Sequence, residues 1–490
     1  MCGIVAFNGS KNAEERIIQG LEKLEYRGYD SAGIAVIDNG ELCVTKAAGR
    51  LEALIEKLEK DPLKGNVGIG HTRWATHGVP TESNAHPHVS SDGKIAVVHN
   101  GIIENFQALK DELIKKGFTF YSETDTEVVA NLIASKFDGD LKSAVEEAIK
   151  EVTGTFSLAV LSADDPEKLI VTRRESPLIL GLCDDGIFAA SDVPALLAYT
   201  RDVIYLENDD VVIIEGANFQ IFNKGNSVER PVQKVEWSME SAGKEGFDHY
   251  MIKEIYEQPK AIKDSLRRKV TDGFIDLKDQ SFTKEEIENF DHIYISACGT
   301  AFHASQVGKR AIEDAIGREI TADIASEFRY NMKFLNEKSL LIVVSQSGET
   351  GDTLAVLREA KQRGAKVLAI TNVVGSSVDR ESDKVLYCDA GPEISVASTK
   401  AYSTQLLSLY LLALDFGYKL GNYSKDDVKK AIETFESVPG KIETILEDTD
   451  SLDPIAERLS KHDAVFYLGR GIDYLSAKEG ALKLKEISYI

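Results

Sequence analysis

Two different rhythms of strand and helix run through this sequence, and no single sheet accommodates both. Over residues 1 to about 240 short strands come in runs: candidates are 4–7, 33–37, 68–71, 95–100, 157–161, 169–173, 187–190 and 210–215, with helical spacing at 13–24, 105–116, 125–137 and 141–152. Strands in runs with few helices predict antiparallel sheets carrying helices on their outer faces. From about residue 290 strand and helix alternate instead. The strands 293–296, 340–344 and 367–371 are rich in Val and Ile without polar alternation, which predicts a parallel sheet covered on both faces. Ligands of such sheets bind beyond the carboxyl ends of the strands. Between the halves, residues 231–250 lose both patterns and read as a linker, followed by a helical stretch 247–269 that carries Glu254 and Glu257.

The expected organisation is 1–240, a connecting segment 241–289, a first parallel-sheet domain 290–445 and the start of a second at 446–490. The second rests on a strand 465–468, the turn Gly469-Arg470-Gly471 and a helix 474–485. These parallel strand 293–296, the turn Cys298-Gly299-Thr300 and its helix. By that repeat a further strand is still to come when the sequence ends at Ile490, so it reads as a truncated form of a longer protein.

A length of 490 residues also calls for two or three domains rather than one core. The 57 Lys and Arg against 80 Asp and Glu give a net charge of −23, which argues against a nucleic-acid or anionic-membrane partner. The same field repels an anionic substrate, so any phosphate site must be built locally. No apolar run approaches the ~18 residues of a membrane span, and no basic segment precedes an apolar one at the N-terminus, so a cytoplasmic protein is expected. Cys2, Cys43, Cys183, Cys298 and Cys388 are scattered without a C-x-x-C pair, which suggests neither a disulfide framework nor a zinc site. His86 and His88, with His71, His77 and His99 nearby, lack a helical H-x-x-x-H spacing and a carboxylate cluster, and no metal is expected.

The chain opens Met1-Cys2-Gly3 before the apolar strand 4–7. Methionine is removed when the next residue is small, so the mature chain is expected to begin with Cys2. One residue then carries a thiol of pKa about 8.5 and an α-amine of pKa roughly 7.7–8.0, a nucleophile with its own base beside it.

Four further stretches share a theme. Tyr26-Arg27-Gly28-Tyr29-Asp30-Ser31 is a turn before a strand. His71-Thr72-Arg73-Trp74-Ala75-Thr76-His77-Gly78 follows a strand end. His99-Asn100-Gly101 ends a strand and opens toward a helix, and Ser122-Glu123-Thr124-Asp125-Thr126-Glu127 reads as a helix cap with spare carboxylates. Alone, Asn100-Gly101 is a common hairpin turn and 122–127 a capping box. Together with Cys2 they supply what acyl transfer from an amino-acid amide requires. A guanidinium grips an α-carboxylate, an Asp accepts from an α-ammonium, and an Asn amide with the next backbone N–H holds an oxyanion.

With Asn84-Ala85-His86-Pro87-His88, these stretches resemble the class II glutamine amidotransferase domain, an N-terminal-nucleophile hydrolase fold of four layers, αββα. The resemblance implies Cys2 as catalytic nucleophile and Asn100 with Gly101 as oxyanion hole. It further implies Arg73, Thr76, His77 and Asp125 as glutamine binders and Trp74 as a gate on the ammonia path.

In the second half, Ser345-Gln346-Ser347-Gly348-Glu349-Thr350 packs three hydroxyls and a glycine between a strand end and a helix start, where backbone N–H groups and the helix dipole favour an anion. No lysine follows the glycine, so it is not a P-loop and a nucleotide is not indicated. This loop and Gly391-Pro392-Glu393-Ile394-Ser395-Val396-Ala397-Ser398-Thr399-Lys400 resemble the sugar isomerase (SIS) domain. The fold class expected is thus α+β followed by α/β, the αββα sandwich and then αβα parallel-sheet domains, the second incomplete.

The two halves in this order resemble the isomerising glutamine amidotransferases that make glucosamine 6-phosphate and glutamate from fructose 6-phosphate and glutamine. By that resemblance Ser345, Gln346, Ser347 and Thr350 hold the phosphate, and Thr300, Val396 and Ser398 line the sugar site. Glu486 moves the proton between C1 and C2 with Lys483 beside it, no cofactor is needed, and the chain is a homodimer that shares its sugar site. Two departures stand against it: Ala301 replaces a frequent serine, and the family's ring-opening histidine and imine-forming lysine would lie beyond Ile490, so this chain is expected not to complete synthesis. Two rival readings are a glutaminase half serving another acceptor, such as the phosphoribosylamine- or asparagine-forming enzymes, and a non-catalytic sugar-phosphate sensor. The loop 345–350 argues against the first, and Glu486 with Lys483 against the second.

Overall fold

The computed structural model describes residues 2–25, 28–75, 77–235 and 244–490. The expectations for Met1, Tyr26, Arg27 and Thr76, and the linker residues 236–243, lie outside the described residues. The chain divides into two compact units, Met1–Glu240 and Ser241–Ile490.

The first unit holds two antiparallel sheets. One has eight strands in the order Gln233–Lys234, Asp202–Tyr205, Ile179–Cys183, Gly186–Ala190, Gly3–Gly9, Val67–Arg73, Ser31–Asp38, Glu41–Ala48. The other has seven, in the order Asn226–Val228, Asn218–Asn223, Asp210–Glu215, Leu169–Arg174, Gly154–Ser162, Ile95–Ile103, His88–Val89. Side chains alternate across a strand, and the N-terminal strand uses both faces. Ile4 and Ala6 enter a core shared with Ala96, Val98, Ala159 and Leu161 of the other sheet. Val5 and Phe7 face Ile17 and Leu21 of helix Ala13–Glu22. The second sheet is covered in turn: Val97, Leu158 and Val160 pack with Leu109, Leu113, Val129 and Val145 of three helices. Four layers, αββα, result, and strands buried on both faces explain the unbroken apolar runs.

Two expectations are corrected here. Asn100 and Gly101 do not close a strand: Ile95–Ile103 runs through them, with Asn100 opposite Ser157 and Gly101 opposite Phe156. Gly101 makes this passage possible, since its φ is +137° and a Cβ there would lie 2.0 Å from the Thr155 carbonyl oxygen. Residues 122–127 do not form a capping box with spare carboxylates. Helix Thr126–Lys136 starts after Asp125 without a side-chain cap. Glu127 is buried and accepts from the backbone N–H of Tyr121 and of Ser122, both at 2.7 Å, and from the Ser122 hydroxyl at 2.6 Å. Strand Glu41–Ala48 and helix Leu51–Lys60 escape the sequence pattern, the strand because most of it is only half buried and its pattern is mixed.

The second unit is built on a five-stranded parallel sheet, ordered Thr321–Ile324, His292–Ala297, Ser339–Ser345, Lys366–Thr371, Lys384–Tyr387. Ile293, Ile295, Ile342 and Val344 pack on one face against Ile312, Leu409 and Phe416 from helices Gly299–Ile316 and Lys400–Leu420. Leu341, Val343 and Val367 pack on the other against Leu354 and Leu357 of helix Gly351–Gln362. Helix Tyr250–Lys269 belongs to this unit, its Ile262 and Leu266 meeting Leu407, Leu411, Val428 and Ile432.

The strand expected at 465–468 is not formed. Phe466 and Leu468 are 88% and 89% exposed, and no described strand lies beside them to supply a ladder. The helix after it does form, as Ile472–Ser488. Among the described residues no helix is long and apolar enough to cross a membrane.

Candidate active sites at the N-terminal cysteine and the carboxyl end of the parallel sheet

Strand Gly3–Gly9 lies between Gly186–Ala190 and Val67–Arg73, with Gly3 opposite Thr72. Only glycine fits there, since a Cβ would sit 2.6 Å from Thr72 Oγ1 and 2.8 Å from Leu24 Cβ. This close approach brings Cys2 beside Trp74, whose backbone N–H donates to Cys2 Sγ at 3.2 Å. From the other sheet, Asn100 Nδ2 donates to the Cys2 carbonyl at 3.0 Å. Asn100 Oδ1 in turn lies 2.9 Å from His71 Nε2, which is also 3.1 Å from the His99 carbonyl. Both partners of that nitrogen are acceptors, so His71 carries its proton on Nε2 and fixes which way the Asn100 amide points. Burial, outweighing the bond to Asn100, lowers the pKa of His71 to about 3 and keeps it neutral.

His71 is one of four buried histidines. His86 stacks on it at 4.0 Å between ring centroids, and His86 Nδ1 accepts from the His99 backbone N–H at 3.2 Å. His99 Nδ1 lies 2.9 Å from Thr126 Oγ1, and His88 Nε2 lies 3.0 Å from Thr124 Oγ1. Burial pushes His86 and His88 far down and His99 down as well. Among the described residues no group of three or more His, Cys, Asp or Glu could hold a metal ion.

Arg73 is buried and donates from Nη2 to the carbonyls of His77 and Gly78, folding the loop that follows its strand around the guanidinium. Its Nη1 has no partner among the described residues. His77 sits edge-on to Phe106 at 5.7 Å. Asp125 is buried and accepts from the Ile103 N–H at 2.8 Å, which ties it to the strand bearing Asn100 and Gly101. Trp74 stands edge-on to Tyr29 at 5.1 Å. Asp30, to which the sequence pattern assigns no role of its own, accepts the Ala75 N–H and gives its own N–H to the Arg73 carbonyl at 3.1 Å, bracing the loop. Direct bonds thus join Cys2, Trp74, Asn100 and His71, while Arg73 and His77 share a loop and Asp125 joins the strand beyond Gly101.

At the carboxyl end of strand Ser339–Ser345, Ser345 Oγ accepts from the Gly348 N–H at 3.0 Å and lies 3.1 Å from Thr350 Oγ1. Ser347 Oγ accepts from the Glu349 N–H at 3.2 Å. The loop delivers Thr350 to the start of helix Gly351–Gln362, which has no side-chain cap. Gln346 presents its carbonyl to the Asn372 N–H at 3.2 Å, and Asn372 Nδ2 donates to the Gly391 carbonyl at 2.7 Å. Asn372 therefore links the 345–350 loop to the 391–400 segment. In that segment Val396 is 57% exposed, and Ser398 Oγ donates to Glu393 Oε2 at 2.6 Å. Glu393 Oε1 also receives the N–H groups of Thr399 and Ala401, at 2.8 and 3.0 Å.

Thr300, Lys483 and Glu486 form their own group. Lys483 Nζ donates to Thr300 Oγ1 and to Glu486 Oε2, both at 2.7 Å. Sequence reasoning missed Glu479, which is buried, accepts from Thr300 Oγ1 at 2.9 Å and lies 2.7 Å from His303 Nδ1. The signal was available, for Glu479, Lys483 and Glu486 recur at i, i+4 and i+7, one face of a helix. Ala301 is buried in the apolar core.

A nucleophile with an adjacent amide donor, and a hydroxyl-rich loop at the carboxyl end of a parallel sheet, fit a glutaminase half followed by a phosphosugar-binding half. The family models agree: residues 71–198 match the glutamine amidotransferase domain and 286–415 the SIS domain. The glutamine–fructose-6-phosphate aminotransferase (isomerizing) of Clostridium acetobutylicum is 50% identical over 492 residues, covering 100% of this chain and 81% of the relative. That of Thermococcus kodakarensis is 48% identical over 498 residues, with the same coverage of 100% and 81%. The chain belongs to the glutamine–fructose-6-phosphate aminotransferase (isomerizing) family. Among solved structures, the C-terminal domain of glucosamine-fructose-6-phosphate aminotransferase from Francisella tularensis is 40% identical, covers 51% of this chain and 70% of that one, and superposes with a TM-score of 0.49.

Proposed function

We propose that the chain takes ammonia from glutamine at Cys2 and contributes the residues below to the reaction with fructose 6-phosphate that gives glutamate and glucosamine 6-phosphate. The Cys2 thiolate attacks the glutamine side-chain carbonyl, and the oxyanion that forms is held by Asn100 Nδ2 and the Gly101 N–H. Ammonia leaves, and water cleaves the γ-glutamyl thioester. Arg73 grips the α-carboxylate with the Nη1 that the loop leaves over, Asp125 accepts from the α-ammonium, and Thr76 and His77 complete the glutamine site. Trp74, bonded to the thiol through its backbone, gates the ammonia. In the second half Ser345, Gln346, Ser347 and Thr350 hold the phosphate, while Thr300, Val396 and Ser398 line the sugar. Ammonia adds to the sugar C2 carbonyl with loss of water, and Glu486 carries the proton from C1 to C2. Lys483, 2.7 Å from both Thr300 and Glu486, holds that carboxylate toward the sugar. A homodimer in the cytoplasm, with no cofactor, completes this reading.

The observation that carries it is the hydrogen-bonded chain Trp74–Cys2–Asn100–His71, in a family of this name. Its test is ammonia release from glutamine by a sample whose intact mass lacks Met1, with and without fructose 6-phosphate. Cys2→Ala should abolish release, and the sugar should stimulate it. A processed N-terminus that releases no ammonia under either condition refutes the reading.

A further inference from the structure

Helix Tyr250–Lys269 contributes nothing to either site as described, yet it buries charge against the sugar-site segment. Glu254, 2% exposed, accepts through one oxygen from the backbone N–H of Ile394 at 2.5 Å and of Ser395 at 3.1 Å. Three residues on, Glu257 Oε2 receives Lys400 Nζ at 2.6 Å, and Lys400 is also 2% exposed. Gln258 Oε1 accepts from Ser403 Oγ at 2.6 Å. At the far end of the helix Lys269 Nζ meets Asp389 Oδ2 at 2.8 Å. A buried ion pair returns little net stability over an apolar pair of equal volume, so its use here points to a geometric duty. Glu393 ties the segment to itself, through Ser398, Thr399 and Ala401. Glu254 and Glu257 fix where that closed loop sits on the rest of the unit, at Ile394, Ser395 and Lys400.

We infer that Glu254 and Glu257 are positioning residues for the sugar: from a helix outside the site they hold the segment that presents Val396 and Ser398. The inference rests on the sugar-phosphate reading of that segment. The loop 345–350 is built on strand Ser339–Ser345 and bonds to Asn372, Ser377 and Val378 rather than to this helix, and Asn372 reaches the segment at Gly391, outside the clamped residues Ile394, Ser395 and Lys400. Losing the clamp should therefore weaken the sugar contacts and leave the phosphate contacts alone.

The experiment titrates the chain with fructose 6-phosphate and, separately, with inorganic phosphate. Glu254→Ala strips two buried N–H groups of their acceptor and should weaken fructose 6-phosphate about tenfold while phosphate affinity holds. Glu254→Gln keeps a carbonyl oxygen for both N–H groups and should restore the sugar to within about threefold. Equal losses for both ligands, as from a general loosening, overturn the inference, and so does an unchanged sugar affinity. Ser347→Ala separates the underlying reading: a wild-type chain that binds neither ligand better than this variant refutes the sugar-phosphate site itself. The clamp is then decided by amide exchange at Ile394 and Ser395, which must be slow in the wild type and fast in Glu254→Ala.

Discussion

The direction of one amide decides whether Asn100 can serve as an oxyanion donor. Its oxygen and nitrogen are nearly isosteric, and only a partner of fixed polarity keeps the N–H end toward Cys2. His71 is that partner, because burial removes its second proton and both neighbours of Nε2 are acceptors. Replacing His71 by Ala should let the amide turn. Removing an oxyanion donor outright costs about 10²–10³ in kcat, so kcat for glutamine hydrolysis should fall by at least about tenfold, with KM for glutamine little changed. His71→Gln, which keeps an N–H donor, should recover part of the loss. Steady-state kinetics on the three proteins test this, and equal kcat values would show that Asn100 is oriented by something else. Asn100 and Gly101 can be proposed from sequence because their chemistry is written in their own types. The role of His71 cannot, since it lies in a contact between residues 29 positions apart on different sheets. Glu479 was passed over although its helical spacing to Lys483 and Glu486 signals it, and Glu393 although its partners lie only five to eight residues on.

At the scale of the element, the loop 345–350 depends on a backbone conformation as much as on its hydroxyls. Gly348 has φ +65°, and a Cβ there would fall 2.0 Å from Ser376 Oγ. Gly348→Ala should displace the turn that aims Ser345 and Ser347 and cost more than about tenfold in inorganic phosphate affinity, since the left-handed conformation alone costs roughly 1–2 kcal/mol. Calorimetric titration reads it, and an unchanged affinity would mean that the loop takes no part in phosphate binding. Helix Ile472–Ser488 makes a second case. It docks on helix Gly299–Ile316 through Glu479, which Thr300 and His303 both reach, with Lys483 on Thr300 and Lys478 on Gln306 beside it. Glu479→Ala should therefore speed amide exchange across 472–488, and wild-type protection in the variant would refute that docking. The central strands of both units were legible because an apolar run buried on two faces announces itself. Strand Glu41–Ala48 was not, being half buried, and 465–468 was misread because its apolar run has no neighbouring strand to pair with.

Over the whole molecule, the change of rhythm between the halves was readable, but the distribution of buried ionisable groups was not. His71, His86 and His88 looked from sequence like a failed metal cluster. In the fold they are neutral hydrogen-bonding groups, and with His99 they place four of the nine histidines inside the first unit. Burial lowers all four in the folded state, His71 to about 3. Below the ordinary histidine value of about 6.5 the unfolded chain binds protons that the folded chain refuses, so stability is complete above that value and is lost as pH falls. Each such histidine costs up to about 1.4 kcal/mol per pH unit in that window. Shifting from pH 7.5 to 5.5 should therefore weaken the 1–240 half selectively, above the ordinary carboxylate range. Amide exchange followed by mass spectrometry at the two pH values, corrected for intrinsic rates, reads each half in the same sample. Protection should drop in the strands around His71, His86 and His99 while that of the parallel sheet 292–387 holds. A parallel decline in both halves would mean that acid sensitivity lies elsewhere than in the buried histidines, and His88→Gln, which removes one titrating group, should then fail to flatten the response.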